Sequence, residues 1–262
     1  MMTIIYAVLL LGGLGLIFGA VLSFASKKFH VETDERVEQV RSCLAGANCG
    51  ACGYPGCDGY AQAVVDGTAP INACAPAGAK GAQEIGKIMG LEAEASEKMV
   101  ARVLCQGANG IAKDRYIYDG FKSCATAAAM AGGPKDCRFA CVGLGDCQVK
   151  CAFDAITIEN GLVVINPDKC TGCGACVKAC PRSVIKLMPL SQQVIVRCRN
   201  TDAAKIAKAA CDNACIGCGR CKKTCPNEAI VVENGCARIL PEKCTGCGEC
   251  AAVCPCKCIT VE

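Results

Sequence analysis

Three stretches of the chain repeat one spacing, Cys-x-x-Cys-x-x-Cys-x-x-x-Cys-Pro. They are Cys170, Cys173, Cys176 and Cys180; Cys215, Cys218, Cys221 and Cys225; and Cys244, Cys247, Cys250 and Cys254, followed by Pro181, Pro226 and Pro255. Three thiolates within seven residues can wrap one face of a cubane iron–sulfur cluster, while the fourth reaches a second cubane; this is the bacterial ferredoxin spacing. Cysteine totals 28 residues, aromatics are 4% and Trp is absent, so a large conventional core is not available. The clusters themselves are expected to nucleate folding, and loss of metal to unfold the chain.

Other uses of cysteine fit less well. A disulfide scaffold is normally a short secreted domain. Tetrahedral zinc usually takes two separated Cys-x-x-Cys pairs. So many free thiolates imply a reducing compartment. The single histidine, His30, is expected at the surface and leaves no basis for a His-dependent hydrolase or a His-rich metal site. The formal charge of +4 counts thiols as neutral; five oxidised cubanes, roughly −2 each, would turn it to roughly −6. The basic residues therefore read first as compensation for cluster charge, not as a nucleic-acid footprint. Residues 29–104 are acid-rich (Glu32, Asp34, Glu35, Glu38, Glu92, Glu94, Glu97), whereas Lys113, Arg115, Lys122, Lys135, Arg138, Lys150, Lys169 and Lys178 make residues 105–198 more basic. A basic face there could steer an acidic protein partner.

Ile4 to Ala25 carries no charge and is followed by Lys27 and Lys28. At about 1.5 Å per residue it spans roughly 33 Å, enough for the hydrocarbon core. A signal peptide would carry a positive n-region and a shorter apolar stretch. The expectation is an uncleaved single-pass anchor over 1–28 in the cytoplasmic membrane, with the cysteines on the cytoplasmic side. Gly15, Gly19 and Ser23 make a small-residue stripe suited to packing on another membrane helix.

Val31 to Leu44 has helical spacing of apolar residues, and residues 82–104 read as one or two further helices. Between them lies Gly-Ala-Asn-Cys49-Gly-Ala-Cys52-Gly-Tyr-Pro-Gly-Cys57, with Cys74 further on. Cys49, Cys52, Cys57 and Cys74 are expected to hold one cubane in a small α-rich domain, residues 29–104.

A shift of 74 residues superimposes the rest. Cys124 falls on Cys198, Cys137 on Cys211, Cys141 on Cys215, Cys147 on Cys221 and Cys151 on Cys225, and Cys170–Cys180 fall on Cys244–Cys254. Glu159-Asn160-Gly161 matches Glu233-Asn234-Gly235, and apolar alternation around each Asn-Gly predicts a β-hairpin. Two tandem α+β domains of bacterial ferredoxin type follow, 105–188 and 189–262. Sorting ligands by the crossed rule gives Cys215, Cys218, Cys221 with Cys254, and Cys244, Cys247, Cys250 with Cys225. In the first copy Cys170, Cys173 and Cys176 take Cys151. Leu144 stands where Cys218 predicts a ligand, and Cys137 is expected to substitute beside Cys141, Cys147 and Cys180. Cys43, Cys236, Cys256 and Cys258 align with no ligand position. Cys105, Cys124, Cys198 and Cys211 remain, enough for a sixth cluster or a set of buried thiols.

An apolar leader, the Gly46–Tyr60 block and duplicated ferredoxin runs resemble the B component of the Rnf complex over nearly the whole chain. The resemblance implies an electron-transfer subunit with 4Fe-4S clusters. In that family the complex oxidises reduced ferredoxin, reduces NAD and translocates sodium ions or protons. It further implies soluble ferredoxin as donor, other membrane and cytoplasmic subunits as partners, and nucleotide sites elsewhere in the complex. No strand-linked G-x-G-x-x-G fingerprint occurs here. Two rival readings are a polyferredoxin subunit of another membrane oxidoreductase and a membrane-anchored zinc or redox-sensing regulator.

Overall fold

The computed structural model describes residues 2–28, 34–93 and 97–262. His30, Glu32, Glu94 and the start of the helix expected from Val31 lie outside the described residues.

Helix α1 runs Met2–Lys28. Its described side chains are Tyr6 and Leu9–Ala25, and most are exposed, among them Leu11, Leu16 and Phe24. None joins a core cluster. Among the described residues no helix is long and apolar enough to cross a membrane, so the expected span is not shown by the fold.

Helices α2 (Glu35–Ser42), α3 (Gly56–Val65) and α4 (Gly78–Met89) form a small helical unit. Asp34 caps α2 through the Arg36 amide at 2.9 Å, and Gly90, left-handed at φ 69°, ends α4. The core is Val40, Leu44, Tyr60, Ala61, Val64 and Ile85. The Tyr60 hydroxyl donates to the Pro70 carbonyl at 2.6 Å and accepts from the Ala73 amide at 3.2 Å. That clasp holds the approach to Cys74, and burial pushes the Tyr60 hydroxyl up to about 12.

Beyond α4 the chain departs from the helical expectation. Met99–Val103 is strand β1, and Val100, Ala101 and Val103 are buried. The partner that makes it a strand is distant. After α5 (Cys124–Ala129), α6 (Asp146–Val149), the hairpin β2 (Ile156–Glu159) and β3 (Leu162–Ile165), and α7 (Ala175–Ala179) comes β4, Ile185–Pro189. β1 and β4 pair antiparallel, with Val103 opposite Ile185.

The second copy repeats this order with β5 (Val194–Val196), α8 (Ala204–Ala210), α9 (Arg220–Thr224), β6 (Ile230–Glu233), β7 (Cys236–Ile239), α10 (Glu249–Ala252) and β8 (Ile259–Val261). β5 pairs β8, with Val196 opposite Ile259. The two hairpins have matching registers, Ile156 to Ile165 and Ile230 to Ile239. Their turns carry left-handed Asn160-Gly161 and Asn234-Gly235, as a two-residue turn with positive φ at both positions demands.

The copies are joined. Glu262 at the carboxyl end pairs with the buried Arg102 of β1 and with Arg197 just beyond β5. The Arg199 guanidinium donates to the carbonyls of Arg182 and Ser183, each at 2.6 Å.

Candidate cluster sites

Four cavities of nearly equal size lie in the two copies, each with about 310–330 Å³ of space between its walls, part of it open to solvent. Cys215, Cys218, Cys221 and Cys254 line the first, together with the unaligned Cys256 and Cys258. Cys225, Cys244, Cys247 and Cys250 line the second. Cys151, Cys170, Cys173 and Cys176 line the third. These are the three sets that the crossed spacing brings together.

The fourth cavity is lined by Cys124, Cys141, Cys147 and Cys180, not by Cys137. Cys124 starts α5, and Asp146 at the head of α6 fixes it. The Asp146 carboxylate accepts from the Cys124 amide at 2.9 Å, the Ala125 amide at 3.0 Å and the Ser123 hydroxyl at 3.0 Å. A carboxylate on free helix N–H groups is favourable in charge as well as in hydrogen bonding. The Cys124 thiol thus lines the cavity whose cysteine loop carries Leu144 where the second copy has Cys218.

The loops around the cavities are shaped by close backbone approach. Gly217, between Cys215 and Cys218, has φ 64°, and a Cβ there would lie 2.8 Å from the Gly235 carbonyl oxygen. Gly143, its repeat equivalent, sits likewise against the Gly161 carbonyl of the other hairpin. Each hairpin turn is pressed onto a cysteine loop, and only glycine fits.

Amide groups point at the sulfurs. The Ala237 amide donates to Cys215 Sγ at 3.4 Å, Ala101 to Cys170 Sγ at 3.3 Å and Ala229 to Cys225 Sγ at 3.3 Å. Such donors stabilise negative charge on a ligand sulfur and tune cluster potential. Burial works the other way on the free thiols. It pushes Cys147 and Cys176 up to about 12, and Cys141 and Cys250 up to about 11. Thiolates at these positions need a cation beside them. Among the described residues no three His, Cys, Asp or Glu side chains converge on a point that could hold one metal ion. Sets of four thiols around apolar cavities of one size fit a larger, multi-iron guest.

In the helical unit Cys57 is buried, and the charges of Cys57 and Cys52 both act on Cys74, whose thiol is raised chiefly by burial. Cys49 is exposed. Its neighbour Asn48, left-handed at φ 46°, accepts the Cys57 amide on Oδ1 at 2.8 Å, which ties the Cys49 loop to the start of α3.

Of the unaligned cysteines, Cys256 and Cys258 share the wall of the first cavity, and Cys43 and Cys236 have other surroundings. Cys43 donates its thiol to the Gln39 carbonyl at 3.3 Å, inside its own helix turn. Cys256 and Cys258 are buried, with Cys258 Sγ 3.5 Å from Cys254 Sγ. The Cys236 thiol donates to the Cys198 carbonyl at 3.3 Å. Of the eight basic residues expected to make a face, Lys135 is buried against Asp114, Arg115 pairs with Asp136 and Arg138 with Asp202. Lys113, Lys122, Lys150, Lys169 and Lys178 remain exposed.

Known protein families fall on the same regions. An Fe-S cluster family matches residues 44–76, a 4Fe-4S binding domain matches 163–186 and a 4Fe-4S dicluster domain matches 207–255. The chain is 52% identical over 231 residues to the B component of the Na(+)-translocating ferredoxin:NAD(+) oxidoreductase complex of Acetobacterium woodii, over 88% of this chain and 69% of that one. The chain belongs to the B-component family of ion-translocating oxidoreductase complexes. The family member from Methanosarcina acetivorans is 42% identical, with 80% of each chain covered. The B component of the proton-translocating ferredoxin:NAD(+) oxidoreductase complex of Clostridium ljungdahlii is 40% identical, over 90% of this chain and 84% of that one. As a member of this family with 4Fe-4S domains, the chain has an electron-transfer role within a multisubunit complex.

Proposed function

We propose that the chain accepts electrons from reduced soluble ferredoxin and relays them toward membrane partner subunits of an ion-translocating complex, NAD being reduced elsewhere in it. The observation that carries this reading is the set of four like cavities, three lined by four thiols and the first by six, each including the four thiols of one proposed set. In the proposed assignment each set holds one 4Fe-4S cubane. The ligand sets are Cys215, Cys218, Cys221 and Cys254; Cys225, Cys244, Cys247 and Cys250; Cys151, Cys170, Cys173 and Cys176; and Cys124, Cys141, Cys147 and Cys180. Cys49, Cys52, Cys57 and Cys74 would hold a fifth. When bound, a cubane supplies a one-electron carrier. The chain's own part is to present thiolates, to aim amide groups at their sulfurs and to keep water out with Ile158, Val163, Ile230 and Ile239.

The donor is proposed to dock at the edge of the first copy. Phe121, 76% exposed, and Val149, 84% exposed, flank Cys124 and Cys147 in sequence, and exposed Lys122 and Lys150 adjoin them. Asp146 binds the two segments together. An apolar patch with a basic rim suits an acidic electron-carrier protein. Helix α1 is proposed as the membrane anchor, since Ile4 to Ala25 is uncharged and the described side chains present bare leucine and phenylalanine to the outside.

Anaerobic purification of the full chain, with iron, sulfide and zinc counted and EPR recorded, tests the cluster reading. A brown protein with about 20 or more irons per chain is expected from at least five cubanes. A colourless, zinc-loaded chain would overturn it.

A further inference from the structure

Four cysteines outside these five sets lie about the junction of the two copies: Gly107 packs against Cys105 Sγ and against Ala112, which bridges to Cys211, while Asn200 touches the sulfurs of both Cys198 and Cys137. Cys105 stands two residues past β1 and Cys198 two residues past β5. Strand register makes them equivalent, because Val103 opposes Ile185, Val196 opposes Ile259, and Ile259 is Ile185 shifted by one repeat. Cys137 and Cys211 are equivalent by the repeat itself, and each closes the same turn. The Cys137 carbonyl accepts from the Ala140 amide at 2.9 Å, and the Cys211 carbonyl from the Ala214 amide at 3.2 Å. Each copy therefore offers the same two positions.

The donors onto these sulfurs repeat as well. Cys105 Sγ accepts from the Gly107 amide at 3.3 Å and the Cys141 amide at 3.4 Å. Cys198 Sγ accepts from the Asn200 amide at 3.5 Å and the Cys215 amide at 3.3 Å. Gly107 and Asn200 each follow their cysteine by two residues, and Cys141 and Cys215 are repeat equivalents. Asn200, 1% exposed, also reaches across the junction, its Nδ2 donating to Cys137 Sγ at 3.4 Å. Beside Cys211, residues 111–113 run against 210–212. The Lys113 amide donates to the Ala210 carbonyl at 3.0 Å and the Asp212 amide to the Ile111 carbonyl at 3.1 Å. A buried thiol used only as a small apolar group has no need of so many N–H groups aimed at its sulfur, whereas a metal-bound thiolate does.

We propose that Cys105, Cys137, Cys198 and Cys211 hold one further cubane iron–sulfur cluster between the two ferredoxin copies, two ligands from each. The proposal rests on the reading that the other sets hold cubanes. Loading the site takes four thiolates, so four thiol protons leave to solvent. The junction would then carry a relay point between copies that are otherwise separate two-cluster units, with Asn200 as a positioning residue for two of the four sulfurs.

The test is iron and sulfide per full-length chain after anaerobic purification and reconstitution with ferrous iron and sulfide. Wild type is expected to carry about 24 irons, six cubanes of four. Cys211→Ala and Cys137→Ala are each expected to lose about one to four irons while the remaining clusters persist. Cys43→Ala, in the helical unit and outside every set, should lose none. A wild-type count of about 20 with Cys211→Ala unchanged would overturn the junction cluster and leave the other five standing. Little iron in wild type would instead overturn the reading on which it rests.

Discussion

The double variant Leu144→Cys with Cys124→Ala isolates the least regular ligand. In the second copy the cavity takes Cys218, which is followed by left-handed Gly219 (φ 72°) and preceded by Gly217 against the Gly235 carbonyl. Leu144 occupies the same loop position, with left-handed Gly145 (φ 87°) after it and Gly143 against the Gly161 carbonyl before it. A cysteine at 144 should then reach its cavity as Cys218 does, making Cys124 dispensable. Cys124→Ala alone removes one of four thiols, so the chain should lose about one to four irons, the lower figure if a three-iron cluster survives. Adding Leu144→Cys should restore the wild-type count within about one iron. The same addition should not rescue Cys137→Ala, because Cys137 does not line that cavity. The assay is anaerobic iron and sulfide counting, with EPR of the oxidised protein to detect a three-iron species. If Leu144→Cys rescues Cys137→Ala but not Cys124→Ala, the reasoning is refuted, and Cys137 serves the first copy as the repeat alignment expects.

Two further outcomes follow from the geometry. Lys122→Glu with Lys150→Glu should lower kcat/KM for reduced ferredoxin by about tenfold at low salt and flatten its salt dependence, since both lysines are exposed beside the proposed docking edge; an unchanged salt profile places docking elsewhere. Gly217→Ala puts a Cβ 2.8 Å from a backbone oxygen at φ 64°. It should cost about 1–3 kcal/mol and raise cluster loss from the Cys215 set in chelator challenge, and equal loss rates in wild type and variant would contradict the packing described.

The hairpins were readable in sequence because Asn-Gly specifies its turn locally and the flanking alternation fixes the buried face. Three of the four-thiol cavities were equally readable, because three thiols of each lie within seven residues and the crossed fourth follows from spacing. What failed was long-range. Met99–Val103 is a short run, apolar but for Arg102, with no turn beside it, and its strand partner lies beyond Val184, so nothing local separates it from a helix. The strand register also changes one cysteine correspondence. Once β1 takes the place of β5, Cys105 rather than Cys124 answers to Cys198, at 93 positions instead of 74. The extra residues before Ser123 form an insertion, and in the proposed assignment Cys124 supplies the thiol that Leu144 lacks while Cys137 serves the junction. No spacing rule signals that exchange. Asp146, where the second copy has Arg220, is the one local hint, since a carboxylate heading α6 asks for N–H groups to bind.

The central claim is that this chain is a multi-site electron acceptor fed by ferredoxin. It is tested most directly by titrating the purified, oxidised full-length chain with a pre-reduced, reductant-free two-cluster ferredoxin and following spins by EPR. About five to six electrons taken up per chain, in step with ferredoxin oxidation, is the expected result. A chain that carries its full iron yet takes no electrons from reduced ferredoxin would contradict it.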